Sequence, residues 1–247
     1  VGPDNYAFPT TSRLKQAINQ QMNTETIRIS VRDEDQVSAI LSLPESDRPP
    51  GPMGVILAHG AGNDMNHPLL VSLSQGLVKA GYLTLRFNFL YREKGQKRPD
   101  GQNILEKTWL SVFQFLQDHP RYRPEKILAA GKSMGGRVAA QMVAEGLLPV
   151  THLIFLGYPL HPPGKKEKLR DSHFDQIKTP MLFFAGTRDS LCDLAALNRV
   201  LKRLSASWEL QIIEGGDHSF RLPKSAGRSQ EEVYEQILQK TLTWLEA

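Results

Sequence analysis

Apolar and polar positions follow two different patterns along the chain, and together these patterns predict the order of strands and helices. Between residues 27 and 43 apolar and polar positions alternate around a charged turn at 33–35, which is typical of an antiparallel β-hairpin. From residue 53 onward, continuous apolar runs are separated by segments in which apolar residues recur every three or four positions. The runs predict strands covered on both faces, and the recurring positions predict amphipathic helices.

The positions of the runs and of the residues that end helices predict the fold class. We expect strands at residues 53–58, 82–89, 127–130, 153–156, 180–185 and 208–213. Signals for the beginnings and ends of helices occur at Pro68, Gly81, Gly146, Ser190 and Ser229, the last of which begins a capping box. Alternating strands and helices predict an α/β fold: a mostly parallel, twisted sheet with helices on both faces and an N-terminal antiparallel hairpin. No connecting segment is long enough for a large lid.

One domain accounts for most of the 247 residues. Residues 1–21 show no periodicity and Met22 is the first methionine, so we expect residues 1–21 to be a poorly ordered leader or cloning remnant. Residues 22–247 are expected to form a single α/β domain, with a proline-rich loop at 44–52.

Composition narrows the class of protein. The chain is 40% hydrophobic and 23% charged, as is ordinary for a soluble globular protein. The single cysteine, Cys192, excludes an intrachain disulfide and favours a reducing compartment, so we expect a cytoplasmic location. No apolar run reaches membrane-spanning length, and we expect no membrane association. The net charge of +4 is spread over many segments without a nucleic-acid-binding motif, so we expect no nucleic-acid partner.

A serine lies at the turn between the strand at 127–130 and the helix that follows. Gly131-Lys132-Ser133-Met134-Gly135 fits the pattern G-x-S-x-G, and strand, sharp turn and helix are the context that a nucleophile elbow requires. The glycines let strand and helix approach closely while the serine hydroxyl stays exposed. Gly-Lys-Ser also closes a phosphate-binding P-loop, but that motif needs a glycine where this chain has Lys126. The alternative is a tight turn that happens to contain a serine.

Further chemical groups follow other strands at the same edge of the predicted sheet. The run His59-Gly60-Ala61-Gly62 follows the strand at 53–58, Asp189 follows the strand at 180–185, and His218 follows the strand at 208–213. Ligands bind at the carboxyl ends of the strands in such sheets. Serine, aspartate and histidine also occur in the order that accompanies a nucleophile elbow. We therefore predict a catalytic triad of Ser133, Asp189 and His218.

Acid–base chemistry assigns the predicted roles. The hydroxyl of Ser133 is a weak nucleophile, so His218 must take its proton and later return it to the leaving group. Asp189 would orient the imidazole and stabilise the imidazolium. The backbone N–H groups of Ala61 and Met134 would bind the developing oxyanion.

Other acids and other chemistries are weaker candidates. Asp193 lies inside a predicted helix, and Asp217 adjoins the histidine in sequence, so its side chain should diverge from the imidazole. Asp189 could also be a simple helix cap. Cys192 is expected to fill a small apolar space. The dispersed histidines and the lack of an HExxH motif predict no metal site, and no motif indicates a cofactor.

At these residues the sequence resembles the α/β-hydrolase superfamily over residues 22–247, and it looks closest to the dienelactone-hydrolase-like branch. Within that branch, it is similar to the family containing subunit 3 of the NSL histone acetyltransferase complex, the testis-expressed protein 30 and bacterial relatives. That similarity lies in residues 86–89 with 99–100, 131–137, 157–164, 186–189 and 215–220. The resemblance implies a compact hydrolase whose substrate is generally unassigned. True dienelactone hydrolases carry cysteine at the elbow, so Ser133 argues against dienelactone as the substrate.

The favoured function is a serine hydrolase that cleaves a small ester, thioester or amide through an acyl-enzyme on Ser133. The alternative is a catalytically silent interaction module. The presence of all three predicted triad residues argues against it, because such a module has no need to keep them in register. We expect a small-molecule acyl substrate, and a monomer or a homodimer.

The substrate pocket is expected to be shallow, because no insertion is long enough to bury a long acyl chain. Its walls are predicted from the loops at 63–67, 90–100 and 158–163. The predicted pocket residues are His59, Gly60, Gly62, Tyr158 and His161. The loop at 90–100 carries Arg92, Lys94, Lys97 and Arg98 against Glu93 and Asp100. These cations either form a solvated loop or attract an anionic substrate.

Overall fold

The computed structural model describes residues 23–44 and 53–247, which form one sheet and the helices that cover it. The strands are β1 (Asn23–Arg32), β2 (Asp35–Leu43), β3 (Met53–Ala58), β4 (Leu83–Phe87), β5 (Lys126–Lys132), β6 (His152–Leu156), β7 (Met181–Gly186) and β8 (Trp208–Ile213). The α-helices are α1 (Pro68–Lys79), α2 (Leu90–Glu93), α3 (Gln102–Gln117), α4 (Met134–Ala144), α5 (Leu194–Leu201) and α6 (Gln230–Leu245). Short 3₁₀ turns lie at Phe174–Gln176 and Lys224–Ala226. The predicted leader at residues 1–21 lies outside the described residues.

The eight strands are ordered β1-β2-β4-β3-β5-β6-β7-β8. The hairpin of β1 and β2 is antiparallel and joins the rest of the sheet through an antiparallel pairing of β2 with β4. All remaining neighbours are parallel. Because the parallel strands point the same way, the segments that follow β3, β5, β7 and β8 meet at one edge of the sheet. The predicted fold class is confirmed.

Apolar side chains form a core on each face of the sheet. On one face, α1 and α6 cover the strands through residues such as Leu73 and Ile237. On the other face, α3, α4 and α5 pack through Trp109, Val138 and Leu197. This arrangement buries the continuous apolar runs on both sides, which explains why those strands lack alternation. None of the described helices is long and apolar enough to cross a membrane.

Several element boundaries differ from the sequence-based expectation, and at two of them a specific side chain accounts for the difference. The strand expected at 82–89 ends at Phe87, and the chain turns into α2 because the buried ring of His59 accepts the backbone N–H of Phe89 at 3.1 Å. The helix expected to be capped by Ser190 begins at Leu194, because the carboxylate of Asp193 accepts the backbone N–H of Ala196 at 3.0 Å. A side chain thus decides where the strand ends in the first case and where the helix begins in the second.

Candidate active site

Ser133 lies in a strained turn between β5 and α4. Its backbone dihedrals are φ 49° and ψ −113°, in a region that residues with a Cβ rarely adopt. Its amide donates to the carbonyl of Leu156 on β6 at 3.2 Å, and its carbonyl accepts the amide of Arg137 at 3.0 Å. The sharp turn is held from both sides and directs the hydroxyl away from the core.

Glycines make the sharp turn possible by letting α4 approach the sheet. A Cβ atom on Gly131 would lie 2.2 Å from the backbone nitrogen of Gly136. A Cβ atom on Gly135 would lie 2.7 Å from the carbonyl oxygen of His59. Neither distance is compatible with a side chain, so the spacing of the motif follows from steric contact.

His218 connects Ser133 to Asp189 through hydrogen bonds. Its Nε2 atom lies 2.8 Å from the Oγ of Ser133. Its Nδ1 atom lies 2.8 Å and 3.0 Å from the two carboxylate oxygens of Asp189. Since a carboxylate only accepts, Nδ1 carries the proton in this pair and Nε2 is free to accept from the serine hydroxyl. The structure therefore brings the three predicted triad residues into one continuous chain.

Asp189 is the carboxylate at the histidine, and the two rival acids serve other purposes. The side chain of Asp189 is fully buried, and one of its oxygens accepts the amide of Leu191 at 2.8 Å. Asp193 caps α5 and pairs with Lys166 at 2.7 Å. Asp217 turns away from the imidazole and accepts the amides of Ser219 and Arg221 at 2.7 and 2.9 Å.

The loop that carries His218 packs tightly against its neighbours. Gly157 has φ 72°, and a Cβ atom there would lie 2.9 Å from the carbonyl oxygen of His218. The same carbonyl lies 3.5 Å from the Nζ of Lys132, which is buried beneath the loop. Burial lowers the pKa of the Lys132 ammonium, while the negative charges of Asp189 and Asp217 oppose that shift. Lys132 occupies a variable position of the elbow motif, so the sequence pattern predicts no role for it.

Ala61 and Met134 lie beside Ser133 at the wall of a cavity of about 530 Å³. Within the described part of the chain, neither backbone N–H has a hydrogen-bond acceptor. Both amides therefore remain able to donate to an oxygen of a bound molecule. The role of these two amides in binding an oxyanion stays a prediction.

The cavity has a wall made of residues from several loops and helices. Its other lining residues are Pro99, Asp100, Gln102, Leu105, Arg137, Pro159, Pro163, Arg170 and Leu191. The predicted loops at 90–100 and 158–163 contribute through these residues, whereas the loop at 63–67 contributes none. The residues predicted to line the pocket, His59, Gly60, Gly62, Tyr158 and His161, lie next to lining residues and do not line it themselves.

His59 lies in the core beside the chain that leads to the cavity-lining residue Ala61. Its ring is fully buried, its Nδ1 lies 2.8 Å from the carbonyl oxygen of Gly60, and its Nε2 accepts the amide of Phe89. Burial lowers the pKa of His59 to about 4, so the ring is neutral. With Nε2 accepting, Nδ1 donates to Gly60 and orients the chain that leads into Ala61.

Tyr158 and His161 are buried for similar reasons. The hydroxyl of Tyr158 donates to the carbonyl of Arg170 at 2.9 Å, and the ring packs against Phe155 and Phe174. The Nε2 of His161 accepts the amide of Asp193 at 3.0 Å. Both side chains form hydrogen bonds to other loops and therefore point into the core. The nearby Pro159 and Pro163 line the cavity instead.

The basic loop at 90–100 contributes less positive charge to the cavity than the sequence suggested. Arg92 lies 3.8 Å from Asp64, and Lys94 pairs with Asp35 at 2.9 Å. The cations that line the cavity are Arg137 and Arg170. Sequence analysis gave neither a role, although Arg137 directly follows the glycines of the elbow. Arg170 lies in a polar segment without periodicity, and no local signal distinguishes it.

No group of three or more histidine, cysteine, aspartate or glutamate side chains that could hold a metal ion occurs within residues 23–44 and 53–247. Cys192 is buried, and burial together with the nearby negative charges of Asp189 and Asp193 raises the pKa of its thiol to about 12. A thiol in that state is a poor nucleophile. The hydroxyl of Ser133 is therefore the better-placed nucleophile beside the cavity.

Several known proteins are similar to this chain. Protein bem46 of Schizosaccharomyces pombe is 26% identical over 151 residues, which cover 60% of this chain and 49% of that protein, so the match spans about half of the relative. A dienelactone hydrolase from Anabaena variabilis has a TM-score of 0.70 at 23% identity, covering 92% of this chain and 98% of the other. An α/β serine hydrolase without lid from Xanthomonas campestris has a TM-score of 0.67 at 19% identity, covering 98% and 99%.

At such identities the structural likeness shows the fold alone, and it extends to a dienelactone hydrolase as the sequence suggested. The finer resemblance, to the family of NSL-complex subunit 3 and the testis-expressed protein 30, stays a prediction. A family model described as an alpha/beta hydrolase domain matches residues 52–246, which is most of the chain. The order of strands, the turn at Ser133 and this match lead to the same conclusion, that the chain belongs to the alpha/beta hydrolase domain family.

Proposed function

We propose that the protein is a serine hydrolase that cleaves a small ester, thioester or amide through an acyl-enzyme on Ser133. The observation that carries the proposal is the continuous hydrogen-bonded chain from Asp189 through His218 to Ser133, which ends at an open cavity. Its spacing is that of a nucleophile, its base and the group that orients the base. The fold supports the coarser part of this proposal, a hydrolase.

Acylation begins when Nε2 of His218 takes the proton from the Ser133 hydroxyl as its oxygen attacks the substrate carbonyl. The imidazolium that forms is stabilised by the buried carboxylate of Asp189, which also fixes the ring orientation. Negative charge develops on the substrate oxygen in this step. The amides of Ala61 and Met134 are the donors available to bind it.

The same groups complete the cycle. His218 returns the proton to the leaving alcohol, thiol or amine, and the acyl group remains on Ser133. A water molecule then loses a proton to Nε2 and attacks the acyl-enzyme, which releases the acid and restores the serine hydroxyl. Both half-reactions use one imidazole as base and then as acid.

Labelling with a fluorophosphonate probe tests the proposal. Wild-type protein should bind the probe with a stoichiometry near one, because the activated serine attacks the phosphorus atom. The Ser133→Ala variant should not react with the probe, and its kcat for p-nitrophenyl acetate should fall by roughly three to six orders of magnitude. Ser190→Ala is the matched control, since Ser190 is exposed and follows Asp189 without lining the cavity.

Two outcomes would contradict the proposal. Labelling of Ser133→Ala to the wild-type extent would place the nucleophile elsewhere. A folded wild-type protein that neither labels nor hydrolyses any ester, thioester or amide would favour the silent interaction module instead.

A further inference from the structure

The cavity beside Ser133 carries an excess of positive charge. Arg137 and Arg170 both line it, and Asp100 is the one carboxylate among its described lining residues. One oxygen of Asp100 already accepts the amide of Tyr91 at 2.8 Å. Within residues 23–44 and 53–247, neither arginine forms an ion pair with a carboxylate.

Arg137 is held rigidly next to the nucleophile. It lies in the first turn of α4, four residues after Ser133, and its Nη1 donates to the Oε1 of Gln141 at 2.8 Å. Burial lowers the pKa of its guanidinium; the nearby Tyr158 opposes that shift, and the positive charge of Arg170 adds to it. Two like charges that line the same cavity, neither of them paired with a carboxylate, repel each other.

Arg170 is held in place by its main chain. Its amide donates to the carbonyl of Leu160 at 2.7 Å, and its carbonyl accepts the buried hydroxyl of Tyr158 at 2.9 Å. Its Nη1 reaches the carbonyl of Pro159 at 3.3 Å. These contacts hold the exposed Arg170 residue where its side chain lines the cavity.

We propose that Arg137 and Arg170 form a subsite for an anionic group of the substrate, a carboxylate or a phosphate, close to the bond that Ser133 attacks. Each guanidinium presents a planar set of N–H donors that matches such an oxyanion, and an anion between them would relieve their mutual repulsion. This inference rests on the proposed function and names its substrate class: esters or thioesters with a negatively charged substituent. The anion would therefore bind at the cavity wall and not at the loop at residues 90–100.

Matched substrates test the subsite. On the leaving-group side, 4-acetoxybenzoate and 4-acetoxyphenyl phosphate are compared with neutral methyl 4-acetoxybenzoate. On the acyl side, mono-p-nitrophenyl adipate is compared with its methyl ester. For each protein the measured quantity is the ratio of kcat/KM for the charged ester to kcat/KM for the neutral one. Comparing this ratio between proteins cancels the intrinsic reactivity of each ester.

The variants separate a local subsite from general electrostatic attraction. Arg170→Gln and Arg137→Gln should each lower the ratio roughly tenfold or more, because each removes a charge-assisted hydrogen bond to the anion. Arg137→Lys keeps the charge and checks for a folding defect at this half-buried position. Lys168→Gln is the matched control, since it removes an equal charge from an exposed side chain two residues before Arg170 and outside the cavity wall. Its ratio should stay within about twofold of wild type.

The outcomes distinguish this inference from the proposed function. Whichever charged ester shows the loss identifies the anion and the side of the scissile bond on which it binds. If wild type hydrolyses the neutral esters through Ser133 but both arginine variants keep the wild-type ratio for every pair, the subsite is overturned and the hydrolase stands. An equal loss in Lys168→Gln would also overturn it, because the effect would then be long-range attraction. If no ester is cleaved and Ser133 does not label, the proposed function fails, and the subsite with it.

Discussion

Ser133, Asp189 and His218 are each also held by contacts with residues other than these three. Ser133 is fixed by the turn between β5 and α4, Asp189 by the amide of Leu191, and His218 by a loop packed against Gly157. Their alignment within hydrogen-bond distance therefore comes from the frame around them. A substitution at one position can then change chemistry without changing the fold.

At the residue scale, replacing either aspartate by asparagine tests which carboxylate orients His218. Asp189→Asn should leave the fold intact and lower kcat by about 10⁴-fold, because the amide no longer stabilises the imidazolium or fixes the tautomer. The measurement is kcat on p-nitrophenyl acetate, together with circular dichroism to verify folding.

Asp193→Asn is the control for this exchange. Asparagine can still cap α5, so the variant loses mainly its exposed ion pair with Lys166 and should keep kcat within a few-fold of wild type. If Asp193→Asn proved the more damaging change, Asp189 would not be the orienting acid.

At the scale of elements, the close approach of α4 to β5 positions Ser133. The elbow needs both the strained backbone of Ser133 and the space that Gly131 leaves for the amide of Gly136. Trp109 on α3 reinforces this arrangement by donating its indole N–H to the carbonyl of Gly135 at 3.2 Å. Strand, turn and two helices thus form one packed unit.

Gly131→Ala tests how strongly this unit depends on its close contacts. The new methyl group would meet backbone at 2.2 Å, so we expect a loss of about 3 kcal/mol or more in the free energy of unfolding, together with loss of activity. Gly101→Ala is the control, since a Cβ atom there meets nothing within 4 Å. Its cost should stay below about 1 kcal/mol. Urea unfolding of both variants gives the comparison, and equal stabilities would show that the elbow tolerates side chains.

For the whole molecule, one buried and two half-buried histidines link stability to pH. Burial lowers the pKa of His59, His67 and His173 from 6.5 to about 4, so the folded protein holds them neutral. Between these two pH values the unfolded chain binds more protons than the folded one. The free energy of unfolding therefore rises with pH through this window and is lost as the pH falls from 6.5 towards 4.

His59 alone should contribute on the order of 2 kcal/mol to the difference in unfolding free energy between pH 7 and pH 5. We expect His59→Asn to be less stable at pH 7, because its two buried hydrogen bonds are disturbed, but to show a smaller difference between the two pH values. Urea unfolding at pH 7, 6 and 5 measures both quantities. An identical difference in variant and wild type would mean that His59 is not excluded from protonation by folding.

The sequence by itself determined most of the strands and helices and predicted which side chains meet at Ser133. Continuous apolar runs require strands covered on both faces, and the glycines around Ser133 permit only a sharp turn, so local pattern was sufficient there. Asp189 and His218 could be predicted because any residue just past a parallel strand lies at the same edge of the sheet.

Only the tertiary structure decided what lines the cavity. At the end of a strand a ring such as that of His59 or Tyr158 can turn towards the cavity or into the core, and the choice depends on partners distant in sequence, Phe89 and Arg170. Arg170 reaches the cavity because Leu160 and Tyr158 hold its backbone, and no local periodicity encodes those contacts. Local pattern determines where most strands and helices lie, whereas long-range hydrogen bonding and packing determine which side chains face the cavity.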